Sequence, residues 1–187
     1  VGISAIEIGK AIGAKVVAAA SSDEKLAVCK EYGADEVINY GGYDLTDKDQ
    51  IKQFRSEIAT TSGGKGPDVI YDPVGGNFTE PALRSIAWGG RFLVIGFASG
   101  PIPKIPLNLY LIKGCSAVGV FWGQFTMLEP QNHLANMEQL TKWHEEGKLK
   151  APVTEVLPLE QAKEALEMIL ARKAKGKIAL TTSFYRN

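Results

Sequence analysis

The sequence predicts an α/β protein built on a doubly wound parallel sheet, and three observations carry that expectation. Apolar runs of strand length, such as VVAAA, DVIYD and RFLVIGF, alternate with segments whose apolar residues recur at helical spacing. Strands separated by helices need crossover connections, and crossovers make neighbouring strands parallel. The strand runs are almost wholly apolar, as strands covered on both faces should be. With 187 residues, 45% of them hydrophobic, the chain suffices for one domain with a sizeable core, or one domain and a tail.

The elements follow in order. A helical pattern starts at Val1-Gly2: Ile3 and Ile6 lie three apart, Ile8 and Ile12 four apart, and Gly13 stands where a C-terminal cap belongs. The strand VVAAA runs into Ser21-Ser22, and Ser21-x-x-Glu24 has the form of a capping box for the next helix. A second strand ends at Tyr40. The polar loop GGYDLTDKD leads to a helix marked by Ile51, Phe54 and Ile58, which SGGKGP terminates. Asp68 to Asp72 reads as a buried strand, followed by PVGG and a helix carrying Phe78, Ala82, Leu83 and Ile86. Trp88-Gly89-Gly90 closes that helix before a strand from Arg91 to Phe97. The Pro-rich SGPIPKIPLN precedes a short helical turn, Leu107 to Lys113, and then a strand, Cys115 to Phe121. A long amphipathic helix follows from His133 to Glu146 with Leu134, Met137, Leu140 and Trp143 on one face. The remainder reads as a strand from Val153 to Leu157, a helix from Leu159 to Arg172 and a strand from Lys177 to Thr181. Residues 1–146 are therefore expected to form the main domain and 147–187 a tail.

The stretch from Gly13 to Tyr40, strand–turn–helix–strand, has the form of the middle of a dinucleotide-binding unit. At the end of its first strand, NAD-specific folds place an acid that holds the ribose 2′-hydroxyl. Here that position is Ala20, followed by Ser21, Ser22 and then Lys25. Hydroxyl donors and a cation without a carboxylate suit a 2′-phosphate, so the cofactor implied is NADPH. Such a unit also needs a strand and a Gly-rich turn before its first helix. Gly2 reads as the last glycine of that turn, with the first strand and the rest of the turn expected upstream. In this reading Gly2 lets the helix N-terminus approach a pyrophosphate. Otherwise it is a helix-start glycine packed on a strand.

Composition excludes several classes. Lys+Arg and Asp+Glu both number 21, so bulk electrostatics attract neither nucleic acid nor an anionic membrane. No apolar run reaches membrane-spanning length and no signal peptide is visible. Cys29 and Cys115, lacking CxxC spacing, read as reduced thiols in a cytosol-like compartment, with a disulfide between them as the alternative. No metal is expected: His133 and His144 share one helix, about 16 Å apart along its axis, and there is no HExxH or cysteine cluster. A GxSxG nucleophile elbow is absent as well.

The run from VG through GAKVVAAASSDEKL, GADEVINY, DVIYDPVGG, GGRFLVIGFASG and the closing GKIAL resembles the nicotinamide-binding half of medium-chain dehydrogenase/reductases. The likeness is greatest to their zinc-independent quinone oxidoreductase (zeta-crystallin-like) branch, and it spans essentially the whole chain. It implies a Rossmann-like cofactor domain, and a tail that returns to an N-terminal catalytic domain lying outside these residues. It also implies hydride transfer from NADPH to a quinone or other α,β-unsaturated carbonyl. The alternatives are a 2-enoyl-thioester reductase of the same superfamily and a non-catalytic NADPH-binding redox sensor. Among the residues, the resemblance assigns Val1 and Gly2 to the pyrophosphate turn, and Lys25, Tyr40 and Arg172 to the adenosine phosphate. Val74-Gly75 and Gly96-Phe97-Ala98 would line the cofactor trough. Phe121-Trp122 would belong to a loop that offers backbone groups to the nicotinamide carboxamide. Lys25 and Arg172 are equally ordinary helix cations, Tyr40 a strand-end aromatic, the glycines tight turns, and the two aromatics core or interface. Catalytic groups are expected to come mainly from the other domain. The family implies a homodimer through the edge strand 115–121.

Overall fold

The computed structural model describes residues 1–150, 152–171 and 173–182. Helix α1 (Gly2–Ala11) returns through a short loop into strand β1 (Val17–Ala20), followed by α2 (Asp23–Glu31) and β2 (Glu36–Asn39). Asp35 fastens this first unit, accepting from Lys10 Nζ at 2.8 Å and from the Val16 N–H at 2.7 Å. The ionic and hydrogen-bonded contact with Lys10, followed by the Val16 N–H, holds the Asp35 carboxyl below its ordinary range. Helix α2 begins one residue later than the capping box implied. Ser22 is the N-cap, its hydroxyl accepting from the Lys25 N–H at 3.4 Å. That corrects Ser21 as the cap and leaves its hydroxyl to face Lys25 Nζ at 3.5 Å.

Helix α3 (Lys48–Thr61) starts on Asp47, whose carboxylate accepts from the N–H groups of Asp49 and Gln50. Strand β3 (Val69–Asp72) leads through a 3-10 turn (Gly76–Phe78) into α4 (Thr79–Ser85), so Phe78 and Ile86 flank that helix rather than lying within it. Strand β4 (Arg91–Val94) stops short of the expected Phe97. The N–H groups of both Ile95 and Gly96 turn onto the Asp72 carbonyl, which ends the ladder. Helix α5 (Asn108–Lys113) precedes β5 (Ser116–Gly119), itself shorter than the expected 115–121.

All pairings are parallel. β1 pairs with β2, and β3–β4–β5 form a second ladder. The parallel α/β architecture is the one expected, but hydrogen bonding divides the sheet. β1 and β3, the strands flanking position 1 in the doubly wound order 3-2-1-4-5-6, share no ladder. Aromatic packing joins the halves: the Tyr40 ring of the first lies tilted against Phe78 of the second, 4.3 Å between ring centroids, and Phe78 lies 6.4 Å from Phe54 on α3. One core cluster gathers Leu83, Ile86, Phe92 and Leu109 beside β3–β5. Another gathers Ile6, Ala18 and Ala34 beside β1–β2.

After β5 the chain forms α6 (Trp122–Leu128) and α7 (Pro130–Glu145), with Pro130 at the first helical position of α7. The tail has its own parallel pair, β6 (Val153–Pro158) with β7 (Lys177–Thr181), connected by α8 (Ala162–Leu170). Several of its described residues touch the main unit. The buried Glu7 accepts from the Lys150 N–H at 2.6 Å, Lys150 Nζ lies 5.9 Å from the centre of the Tyr32 ring, and Lys175 forms an ion pair with Glu24.

Candidate functional site

Helices and parallel strands run in opposite directions, so the start of α1, the start of α2 and the loops after β3 and β4 all open on the rim where the strands end. The sequence-selected residues converge there in two linked groups. The first is Ser21, Ser22, Lys25 and Tyr40. Tyr40 donates its backbone N–H to the Ala20 carbonyl at 3.0 Å, which sets β2's last turn beside β1's. Gly41 makes the closeness feasible, since a Cβ there would lie 2.1 Å from the Ser21 carbonyl oxygen. Asp23 is turned aside, accepting from Asn39 Nδ2 at 2.6 Å.

The second group is Val74, Gly75, Gly96, Phe97 and Ala98. Asp72, at the end of β3, organises it: one carboxylate oxygen accepts from the N–H groups of Val74 and Gly75, both at 2.9 Å, and the other from Thr79 Oγ1 at 2.8 Å. This is an Asx turn completed by the first hydroxyl of α4. Backbone bonds then tie the loops to each other, from Ala98 N–H to the Pro73 carbonyl and from Ser99 N–H to the Val74 carbonyl. Gly75 adopts φ 69°, ψ −153°, a conformation open essentially to glycine alone, with Phe97 directly over it. The tilted Tyr40–Phe78 contact joins the first group to the turn that follows Gly75.

Gly2 opens α1 with nothing within 4 Å of a Cβ placed on it, and no carboxylate stands in that helix's first turn. Its first N–H groups and dipole therefore face the rim without a competing anion. Val1 is exposed beside it. Phe121 stands just before α6 and Trp122 is that helix's first residue, so the expected loop ends at Phe121. Both rings are exposed, and Trp122 meets His133 edge-on at 5.8 Å. Arg172 lies outside the described residues. Sequence reasoning passed over Lys175, which reaches the start of α2 from the tail, and the organising role of Asp72, for which the Asp-Pro-Val-Gly spacing was an available signal. A cleft of about 320 Å³ opens next to this rim between Tyr43–Thr46, Gly76–Phe78, Ser99 and Pro101.

The profile of the family described as "Zinc-binding dehydrogenase" matches residues 1–142. The chain belongs to that family. Membership of the medium-chain dehydrogenase/reductases is thereby met, and the similar curated proteins include several quinone oxidoreductases and quinone oxidoreductase-like proteins. One is "Quinone oxidoreductase-like protein 2 homolog" of Nematostella vectensis, 37% identical over 97% of this chain and 47% of its own length. Among solved structures, a mycobacterial protein complexed with NADPH superposes with a TM-score of 0.82 at 25% identity, over 96% of this chain and 53% of that one. A structure described as an NAD-dependent alcohol dehydrogenase gives 0.75 at 33% identity, over 96% and 47%. The chain spans about half the length of the curated relatives it matches.

Within this dehydrogenase family member, the donor set at the rim fits a dinucleotide. It offers helix N–H groups without a competing acid at α1, and a hydroxyl and an ammonium at the end of β1. Zinc does not fit. Among the described residues, no group of three or more His, Cys, Asp or Glu side chains stands where it could hold a metal ion. No described helix is long and apolar enough to cross a membrane.

Proposed function

We propose that the chain is the cofactor-binding part of a zinc-independent reductase that uses NADPH to reduce a quinone or another α,β-unsaturated carbonyl. The observation that carries this reading is the end of β1. Ala20 stands where an NAD-selecting acid belongs, and Ser21 Oγ and Lys25 Nζ meet at 3.5 Å beside it, a hydroxyl and a cation suited to a 2′-phosphate. NADPH, once bound, supplies a hydride from its nicotinamide ring. The residues of this chain hold and orient it. The α1 N-terminus meets the pyrophosphate, Ser21, Ser22, Lys25 and Tyr40 meet the adenosine phosphate, and the loops at Gly75 and Gly96–Ala98 form the floor of the trough.

In this reading residues 1–146 are the cofactor domain and 147–187 a tail that returns to a catalytic domain. The exposed Leu166, Ile169 and Leu170 of α8 support that docking. β5 is a sheet edge with an exposed Val118 and an uncharged face, which supports a homodimer through segment 115–121. Cys29 and Cys115 are both free thiols, which favours a reducing compartment such as the cytoplasm. The test is turnover of the intact protein with NADPH and a panel of quinones, enones and a crotonyl thioester. Quinone or enone reduction is the expected result. Preference for the thioester would make it an enoyl reductase, and tight NADPH binding without turnover on any acceptor would make it a sensor.

A further inference from the structure

The first turn of α2 is poorly charged for the phosphate it is asked to hold. It carries Asp23 and Glu24 against the single cation Lys25. A phosphomonoester brings about two further negative charges at neutral pH. Asp23 is engaged by Asn39, whereas Glu24 is exposed and its carboxylate pairs with Lys175 of the tail. That contact, first as a hydrogen bond and then as a charge, holds the Glu24 carboxyl below its ordinary range, and Lys25 adds a smaller effect. Lys175 thus brings this turn from a net negative charge to neutrality.

The neighbouring tail residue of the same sign points the same way. Lys177 opens β7 and lies close enough to Val1, at the start of α1, for its charge to be felt there. One short stretch of tail therefore carries two lysines past the two helix starts where the phosphates of a dinucleotide belong.

We infer that Lys175 is a specificity-determining residue for the 2′-phosphate, kept at the start of α2 by Glu24 and given over to the phosphate when NADPH arrives. The inference rests on the NADPH reading above. An exposed lysine–carboxylate pair is weak and readily exchanged, while a phosphate dianion between Lys25 and Lys175 makes charge-assisted bonds to both. Cofactor choice would then depend on the tail as well as on the end of β1. Glu24 acts as a positioning residue that competes with the phosphate for Lys175.

The experiment is a paired fluorescence titration of the intact protein with NADPH and with NADH, for wild type, Lys175→Gln, Lys175→Arg and Glu24→Gln. Glu24 and Lys175 are both exposed, and circular dichroism checks that each variant is folded. Lys175→Gln is expected to weaken NADPH about fivefold and leave NADH unchanged, with Lys175→Arg close to wild type. Glu24→Gln is expected to tighten NADPH by a smaller factor, again without effect on NADH. An unchanged NADPH to NADH ratio in Lys175→Gln, or equal weakening of both, overturns the inference, the latter because it is what a purely structural latch would do. Wild type without any NADPH preference overturns the cofactor reading itself, and the inference with it.

Discussion

Replacing Gly75 by Ala puts the rim architecture under the sharpest strain. Gly75 holds φ 69°, ψ −153°, where a residue with a Cβ costs on the order of 1–3 kcal/mol. The new methyl would also lie 2.8 Å from Phe97 Cδ1 and 3.4 Å from Phe97 Cα. The ring edge can swing, because Phe97 is 38% exposed, so this second effect adds about 1 kcal/mol or less. The expected loss for Gly75→Ala is therefore about 1–4 kcal/mol. It should be read as a shift of the urea midpoint at constant slope. Gly75→Ala in a Phe97→Ala background separates the two parts: the clash disappears and the backbone strain stays. The double mutant should recover about 1 kcal/mol or less relative to additivity. A single mutant within 0.5 kcal/mol of wild type would refute the glycine-only conformation. Complete recovery in the double mutant would refute the backbone part and leave only the steric one.

Three further outcomes follow from the same structure. Asp72→Ala strips the acceptors from Val74, Gly75 and Thr79 and should destabilise by about 2–4 kcal/mol, while Thr79→Ala should cost about 1 kcal/mol. Equal losses in thermal unfolding would deny Asp72 its organising role. The Asp35 carboxyl is depressed by Lys10 and the Val16 N–H. A depressed folded pKa stabilises above the unfolded value, about 3.9, and that contribution is lost as pH falls through the folded value. Lys10→Met should accordingly flatten the acid limb of the stability curve below about pH 4, and an unchanged limb would contradict the assignment. Val118→Lys on the β5 edge should give a monomer by light scattering, and an unchanged dimer mass would remove that edge as the interface.

Much of the fold was legible because its signals are local. The apolar run of β3 and the GKIAL end of the tail became strands within a residue of expectation, because both stand between clear breakers. The errors came where a distant partner decides. Ser21-x-x-Glu24 has the pattern of a cap, but Ser22 takes that role and the Glu24 carboxylate goes to Lys175 in the tail. β4 ends early because the Asp72 carbonyl, on another strand, collects two of its N–H groups. The resemblance puts Phe121-Trp122 in a loop, whereas Trp122 opens a helix. Its helix is held by packing on α7. Tyr40, Gly75 and Gly96 follow strand ends and Lys25 lies in the first turn of α2, so the order of elements puts these expected site residues on one rim. Lys175 was not legible, because nothing near it in sequence refers to α2.

The most direct measurement of the central claim is a side-by-side fluorescence titration of the intact protein with NADPH and NADH, repeated for Lys25→Ala. A clear NADPH preference that collapses toward NADH in Lys25→Ala, through loss of NADPH affinity alone, is the predicted result. Equal affinities in the wild type, or a preference that survives removal of Lys25, would contradict the reading of Ala20, Ser21 and Lys25 as a 2′-phosphate site.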